Sequence, residues 1–396
     1  MNIAFFSDNF YPELSGIADS IILTGTELAR RGHIIHYFVP HYDAREYRTA
    51  GTHAKELILG SRITIHRLPS FHVPGPTLQT RAVVPNPLFG LLKAKPDIIH
   101  SHSFFGPGID ALIWARRNHI PLLGTNHTHI ESFIRYSPIH HPAFQRFLKR
   151  YITWYYNQCV TVSAPSDFLI QDMQKNGLHA SSHVISNPID PSFFIAPDSK
   201  KTLKARYGLA PLTILYAGRI ASEKNIQILF DAFLPLAHER PDVDLLIVGQ
   251  GTLRKILERR RDTSGIASRI KLLGPFLGEN KQEFFDLFHA SDILVMPSTS
   301  ETQSMVVLQG MACGMPVVAA RTAALPEIVT AERGVLFNPT DAPELTTHLK
   351  NLCQSQEYRE QLGHQARIFA AQFSVESVAN KWEMLYKSIY TTRARI

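Results

Sequence analysis

Short apolar runs alternate with amphipathic stretches along this chain, and the alternation restarts near the middle. NIAFFSD is an apolar run that ends in an acid. GIADSIILTGTELARRGH follows, with Ile17, Ile21, Thr24 and Leu28 at helical spacing and a Gly-His stop. IIHYFVP, RITIHRL, PDIIHSH, IPLLGTNH and QCVTVSAPS then read as further strands, with helical stretches between several of them. After about residue 200 the order begins again. PLTILYAGRI, DVDLLIVGQG, RIKLLGP, DILVMPS, PVVAAR and GVLFNP read as strands, NIQILFDAFLPLAHERP and LRKILERRRDTSG as helices. Strands joined through helices must run parallel, because a parallel pair needs a long crossover. The expectation is two α/β units, joined through SNPIDPSFFIAPDSK, whose prolines and short polar residues suit a loop. A chain of 396 residues has room for both cores.

Composition narrows the class. Hydrophobic residues make up 44% and charged residues 19%, the balance of a globular protein. No run approaches the ~18 apolar residues of a membrane span. Asp8 interrupts the first apolar stretch too early for a secretory leader. Cys159, Cys313 and Cys353 are far apart, lack metal-ligand spacing and leave one over, which fits a reducing cytosol. The net charge is +7, divided as 17 Lys/Arg against 13 Asp/Glu in residues 1–190 and 24 against 21 in the remainder. Without a dense basic stripe the excess does not point to nucleic acid. It leaves a bias toward phosphates and anionic surfaces. Fifteen of 19 histidines lie in the first 190 residues, so the halves differ in kind.

Ligands of open parallel sheets sit beyond the carboxyl ends of the strands. Those ends carry Ser15-Gly16, His100 and His102, His127, Arg219 with Glu223-Lys224, Gly249 and Gly251, and Glu301. FYPELSG reads either as a loop that lets Gly16 approach a phosphate or as a tight strand-to-helix turn. In GRIASEKN, Arg219 and Lys224 can place a forked donor and a point charge on a diphosphate; the other reading is a solvated turn with a local Glu–Lys pair. The acids of PDVDLLIVG read as preceding a buried strand, not as a metal pair. His100 and His102 lack a third ligand nearby, and His140-His141 reads as a loop or surface pair. His127 in GTNHTHIESF is a candidate polar group or a satisfied structural histidine. Phe144, Phe147, Leu148, Tyr151, Ile152 and Tyr155 recur at helical spacing, with Arg146, Lys149 and Arg150 on another face. That pattern is an interfacial helix or a core helix with a solvated basic side.

Together these motifs resemble the retaining glycosyltransferases of family 4, which have the GT-B fold: two Rossmann-like domains with parallel sheets facing across a cleft. The resemblance runs from FYPELSGIADS through PDIIHSH, TNHTH, VSAPSDFL and SNPID to GRIASEKN, VGQG and SETQSMVVLQGMACGMPVVA. It implies an acceptor-side domain over 1–190, a nucleotide-sugar domain over 191–374, and a last helix over 375–396, returning to the first domain, for which the ending FSVESVANKWEMLY carries the resemblance. TNHTHIESFIRY resembles the TxHTxxExxxxY segment of bacterial diacylglycerol glycosyltransferases, which work at the cytoplasmic membrane face.

The resemblance assigns roles residue by residue. Arg219 and Lys224 would stabilise the leaving diphosphate, His127 would bind the donor sugar, and Glu301 would orient it. Gly16, Gly249, Ser304 and Met305 would line the donor, the helix starting near Ser304 aiming its free N–H groups at the diphosphate. The family signature has a second glutamate where this chain has Gln309, at the ribose. An amide still accepts a hydroxyl bond, at a loss of about 1 kcal/mol of donor binding. Arg146, Lys149 and Arg150 would face an anionic membrane. The expected activity is metal-independent, without a cofactor, moving a hexose from a nucleotide diphosphate sugar, UDP-glucose favoured, to a lipid or glycan acceptor. The expected location is cytoplasmic, peripheral on the inner membrane face, with no nucleic-acid partner. The alternatives are a nucleotide-sugar epimerase or hydrolase of similar fold, and a nucleotide-sugar-binding protein weakened by Gln309.

Overall fold

Phe5 and Phe6 are adjacent in sequence and serve opposite faces of one sheet, as the two-residue period of a strand requires. The computed structural model describes residues 1–13, 15–53, 56–73, 81–85, 94–129, 141–276 and 280–393. The chain divides into two compact units, Met1–Pro188 with Val375–Ile396, and Ile189–Ser374.

In the first unit the strands are β1 (Asn2–Phe6), β2 (Ile34–Pro40), β3 (Ile63–Leu68), β4 (Ser70–His72), β5 (Arg81–Val83), β6 (Ile98–Ser101), β7 (Leu122–Thr125), β8 (Thr161–Ala164) and β9 (Ser181–Val184). Seven form a parallel sheet in the order β3-β2-β1-β6-β7-β8-β9, and β4 pairs antiparallel with β5. One face packs Ala4, Phe6, Ile99, Leu122 and Val162 against Trp114 and Tyr156. The other packs Ile3, Phe5, Ile98 and Leu123 against Trp382 and Tyr386 of the helix Val375–Arg393. Both faces are covered, which is why these strands read as continuous apolar runs. The helix Gly16–Arg30 starts where Ser15 accepts the Ile17 N–H at 3.2 Å, and it buries Ile21, Thr24 and Leu28.

The second unit holds β10 (Leu212–Ala217), β11 (Val243–Val248), β12 (Ile270–Leu273), β13 (Ile293–Met296), β14 (Val317–Ala320) and β15 (Gly334–Phe337). Its parallel sheet runs β12-β11-β10-β13-β14-β15, the doubly wound order. The strand order reverses between β10 and β13, and in the first unit between β1 and β6. These are the crevices where ligands bind in such sheets.

Three short strands, β4, β5 and β9, were not expected from the sequence. They have three or four residues, and SSHV of β9 is largely exposed, so no apolar run marks them. Asp244 also lies inside β11 instead of before it. Among the described residues no helix is long and apolar enough to cross a membrane.

Candidate functional site

The loops after β10 and β13 flank the reversal point of the second unit and are tied to each other. Tyr216, at the end of β10, donates its hydroxyl to the Arg219 carbonyl at 2.7 Å. Burial pushes that phenol well above its ordinary range, with the Glu301 charge adding to the effect, so it stays a donor. Thr299 donates its N–H (2.9 Å) and its hydroxyl (3.1 Å) to the Glu223 carbonyl. Lys224 Nζ lies 2.6 Å from Glu301 Oε1, with both side chains largely buried. Arg219, 45% exposed, pairs with Glu223 at 2.7 Å. The expected alternative, a local Glu223–Lys224 pair, is therefore not what forms. Each cation has a carboxylate, and Lys224 takes its carboxylate from the other loop.

Ser304 follows Glu301 by three residues. It has a left-handed backbone (φ +66) and immediately precedes the helix Met305–Ala312. It is 6% exposed, and its hydroxyl has no hydrogen-bond partner. A buried orphan hydroxyl at a helix N-terminus, beside Lys224–Glu301, suits an incoming anion. Met305 is the first residue of that helix and is half-buried. Gln309 lies one turn further on, half-buried, and no described residue hydrogen-bonds its amide. Gly310 holds the helix against β13, since a Cβ there would sit 2.5 Å from Leu294 Cδ2. Gly249, after β11, has φ +151, and a Cβ would fall 1.8 Å from the Gly218 carbonyl oxygen. Only glycine lets the loops after β10 and β11 approach so closely.

The first unit collects its histidines at the ends of β6 and β7. His100 is fully buried; Nδ1 lies 2.7 Å from the Tyr386 hydroxyl and Nε2 2.6 Å from Thr125 Oγ1. Thr125 Oγ1 in turn meets Ser163 Oγ at 2.6 Å. His102 Nδ1 lies 3.0 Å from Nε2 of His127. Burial pushes His127 down to about 4, and His100 and His102 fall well below the ordinary range, burial again leading. All three are therefore neutral imidazoles at neutral pH. Gly16 is the exposed first residue of its helix. Of TNHTHIESFIRY, the stretch 130–140 lies outside the described residues, as do His140 and Leu14 of FYPELSG.

The helix expected over 144–155 spans Pro142–Tyr156 and is capped by His141, which accepts the Ala143 N–H at 3.2 Å. Leu148, Ile152 and Tyr155 are buried as expected, but Phe147 is 63% exposed and Trp154 45%. Arg146 and Arg150 are exposed and Lys149 partly so. Of the acids in PDVDLLIVG, Asp242 pairs with Arg240 at 2.8 Å, and Asp244 accepts the Ala210 N–H at 3.0 Å, so both have structural uses. What the sequence did not supply is the partnership of His102 with His127. The signal was present in the HSH spacing, but it was weighed only as a metal site.

Two family models match the chain. One, described as Glycosyltransferase Family 4, covers residues 14–193; the other, described as Glycosyl transferases group 1, covers residues 211–355. An alpha-monoglucosyldiacylglycerol synthase of Streptococcus pneumoniae is 27% identical over 81% of this chain and 71% of its own length. The protein of the same name from Acholeplasma laidlawii is 22% identical over 98% of this chain and 96% of its own. Among solved structures, Anabaena Alr3699/HepE in complex with UDP superposes with a TM-score of 0.75 at 21% identity. That match covers 98% of this chain and 100% of the other.

Proposed function

Because the chain belongs to the family 4 glycosyltransferases, with a GT-B fold and a family match on each half, we propose that it moves a hexose, with retention and without a metal, from a nucleotide diphosphate sugar to a lipid. UDP-glucose is the favoured donor and the cytoplasmic membrane face the favoured place. The observation that carries this reading is the cluster at the β10/β13 reversal: Arg219, Lys224, Glu301 and the orphan hydroxyl of Ser304. Two cations and a helix N-terminus can meet the charge that develops on a leaving diphosphate. On donor binding, Lys224 has two further N–H bonds to give to phosphate while keeping Glu301 oriented. Glu301 has a second oxygen with which to accept sugar hydroxyls. Gly16 and Gly249 give close backbone approach, Met305 begins the phosphate-facing helix, and Gln309 accepts from the ribose. We assign His127, half-buried and held neutral by desolvation, the donor-sugar contact.

The Streptococcus relative's name supports a lipid acceptor, and the Anabaena structure's UDP supports a uridine donor. Membrane contact is supported by the helix Pro142–Tyr156, which exposes Phe147 and Trp154, carries Arg146, Lys149 and Arg150, and contains no carboxylate. Incubation with radiolabelled nucleotide sugars, a lipid extract and excess EDTA tests the whole reading. Transfer of glucose to lipid is expected. Free sugar, an isomerised donor, or binding without turnover would replace it with hydrolysis, epimerisation or a binding role. Loss of transfer on chelation, restored by magnesium or manganese, would overturn metal independence.

A further inference from the structure

Asp8 leaves β1 two residues after Phe6, and Ser103 leaves β6 two residues after Ser101. The register pairs Phe6 with Ser101, so the two exits lie side by side at the crevice where the strand order of the first unit reverses. A serine hydroxyl turns the chain at each exit. Ser7 Oγ donates to the Asn9 carbonyl at 2.8 Å and accepts the Asn9 N–H at 3.1 Å. Ser101 Oγ donates to the Ser103 carbonyl at 2.6 Å. These local side-chain-to-backbone bonds hold Asp8 and Ser103 across from each other, with Ser103 Oγ 3.0 Å from Asp8 Oδ2.

The carboxyl of Asp8 is half-buried there and poorly compensated. Ser103 has one hydroxyl hydrogen, and its oxygen also lies 3.1 Å from the Phe105 carbonyl. Among the described residues no cation pairs with Asp8, and no other residue donates to its Oδ1. Burial raises the carboxyl above its ordinary value, and the Ser103 bond and the residue's own backbone do not offset it. Asp286 is the contrast, an acid with a structural use. It receives Arg206 at 2.8 Å and Tyr207 at 2.9 Å on one oxygen and Gln282 at 3.0 Å on the other. Burial works against Asp286 too, yet those bonds carry it below its ordinary value. An under-partnered carboxyl costs stability, and in a ligand crevice it marks a functional position.

A carboxyl oxygen with unused lone pairs recognises hydrogen-bond donors, and its charge repels phosphate. We infer that Asp8 belongs to the acceptor site, its Oδ1 accepting a hydrogen bond from a hydroxyl of the acceptor's uncharged headgroup. The inference rests on the transferase reading and adds to it a side chain for the acceptor. The part of the acceptor that meets Asp8 is neutral and hydroxyl-bearing, as in glycerol or a sugar. The cations that suit phosphate lie in the other unit.

The test uses the full chain, UDP-glucose, and phosphatidylcholine vesicles carrying graded mole fractions of diacylglycerol, whose one unesterified hydroxyl is the probe. If only a lipid extract accepts sugar, the extract is titrated instead. Asp8→Asn keeps the shape and the Ser103 contact and removes the charge. It should raise the apparent KM for the lipid about tenfold or more, because a bond to a charged acceptor is lost. The Kd for UDP-glucose, from calorimetric titration, should stay within about twofold. The melting temperature should equal or exceed that of the wild type, because an uncompensated charge is gone. Asp8→Ala should raise the lipid KM at least as far. Unchanged lipid KM in both variants, with wild-type transfer intact, would overturn the inference alone. A melting temperature lowered by more than about 4 °C in Asp8→Asn, with donor affinity falling alongside, would make Asp8 a structural acid and overturn it too. If the alanine variant does not fold, the asparagine variant decides. No transfer by the wild type to vesicles or extract, with any nucleotide sugar, would overturn the transferase reading and the inference with it.

Discussion

Lys224 Nζ and Glu301 Oε1 lie 2.6 Å apart across 77 residues of sequence, and this pair joins the loop after β10 to the loop after β13. Its burial separates the two cations of the site. Lys224→Ala leaves Glu301 largely buried without its partner and should cost about 1–3 kcal/mol of stability. Arg219→Ala removes a 45% exposed side chain and should change stability by less than about 0.5 kcal/mol. If the two cations meet the diphosphate as proposed, both variants should cut turnover at least about tenfold, since each would take a charge-assisted contact from the leaving group. Urea melts beside initial rates check this. Near-normal turnover in both variants would sink the diphosphate assignment.

Gln309→Glu should tighten donor binding. A bond from the ribose to a charged acceptor is worth about 1.5–3 kcal/mol, against about 0.5–1.5 for a neutral one. The chemical step should change less, because ribose contacts are alike in ground and transition states. Calorimetric titration with the nucleotide sugar measures the gain, and a deoxyribose donor should erase it. Unchanged affinity with a lower melting temperature would mean that position 309 packs away from the donor.

Gly249→Ala should destabilise the second unit by about 2 kcal/mol or more and weaken donor binding together. A Cβ would stand 1.8 Å from the Gly218 carbonyl oxygen, at a backbone φ of +151 that side-chain-bearing residues avoid. An alanine variant that melts like the wild type would show that the two loops do not need this approach.

Acid should destabilise the first unit before its carboxylates titrate. His66 and His127 are each held down to about 4 by burial, His66 also by the charge of His36. An unfolded imidazole titrates near 6.5, so between about 6.5 and 4 the unfolded chain binds more protons and stability rises with pH. The stabilisation is complete above about 6.5 and is lost as pH falls toward 4, each group adding a slope of up to about 1.4 kcal/mol per pH unit. Replacing His66, which stacks on Phe38 at 4.5 Å, by Phe should flatten the slope. Urea midpoints at pH 7.5, 6 and 5 give the comparison; equal slopes in both proteins would be the contrary result.

The alternation of apolar runs and helices was enough to reveal both parallel sheets, because strands buried on two faces leave continuous runs such as TILYA and DLLIV. It could not reveal β4, β5 or β9, which bury too little to leave a pattern. Candidate site residues were legible as unusual polar residues at strand ends, since that position follows from topology alone. Their partners were not. Glu301 meeting Lys224, Tyr386 reaching His100 and His102 holding His127 are long-range contacts with no local period. The orphan state of the Ser304 hydroxyl likewise exists only once the chain around it is folded.

The helix Val375–Arg393 completes the core of the first unit through Val378, Trp382, Leu385, Tyr386 and Ile389, although it comes last in the chain. In topological terms the second unit is an insertion, entered at Ile189 and left at Ser374, which form a parallel bridge with each other. A chain cut after Ser374 would keep every residue of the second unit and damage the first: Ile3, Phe5 and Tyr37 would lose their cover, and His100 its tyrosine. Isolating the first unit therefore calls for excision, not truncation. Because Ile189 and Ser374 lie side by side, a short peptide from Pro188 to Val375 would span the gap. Ribosomal synthesis meets the same ordering: the unit that begins first can only finish folding last.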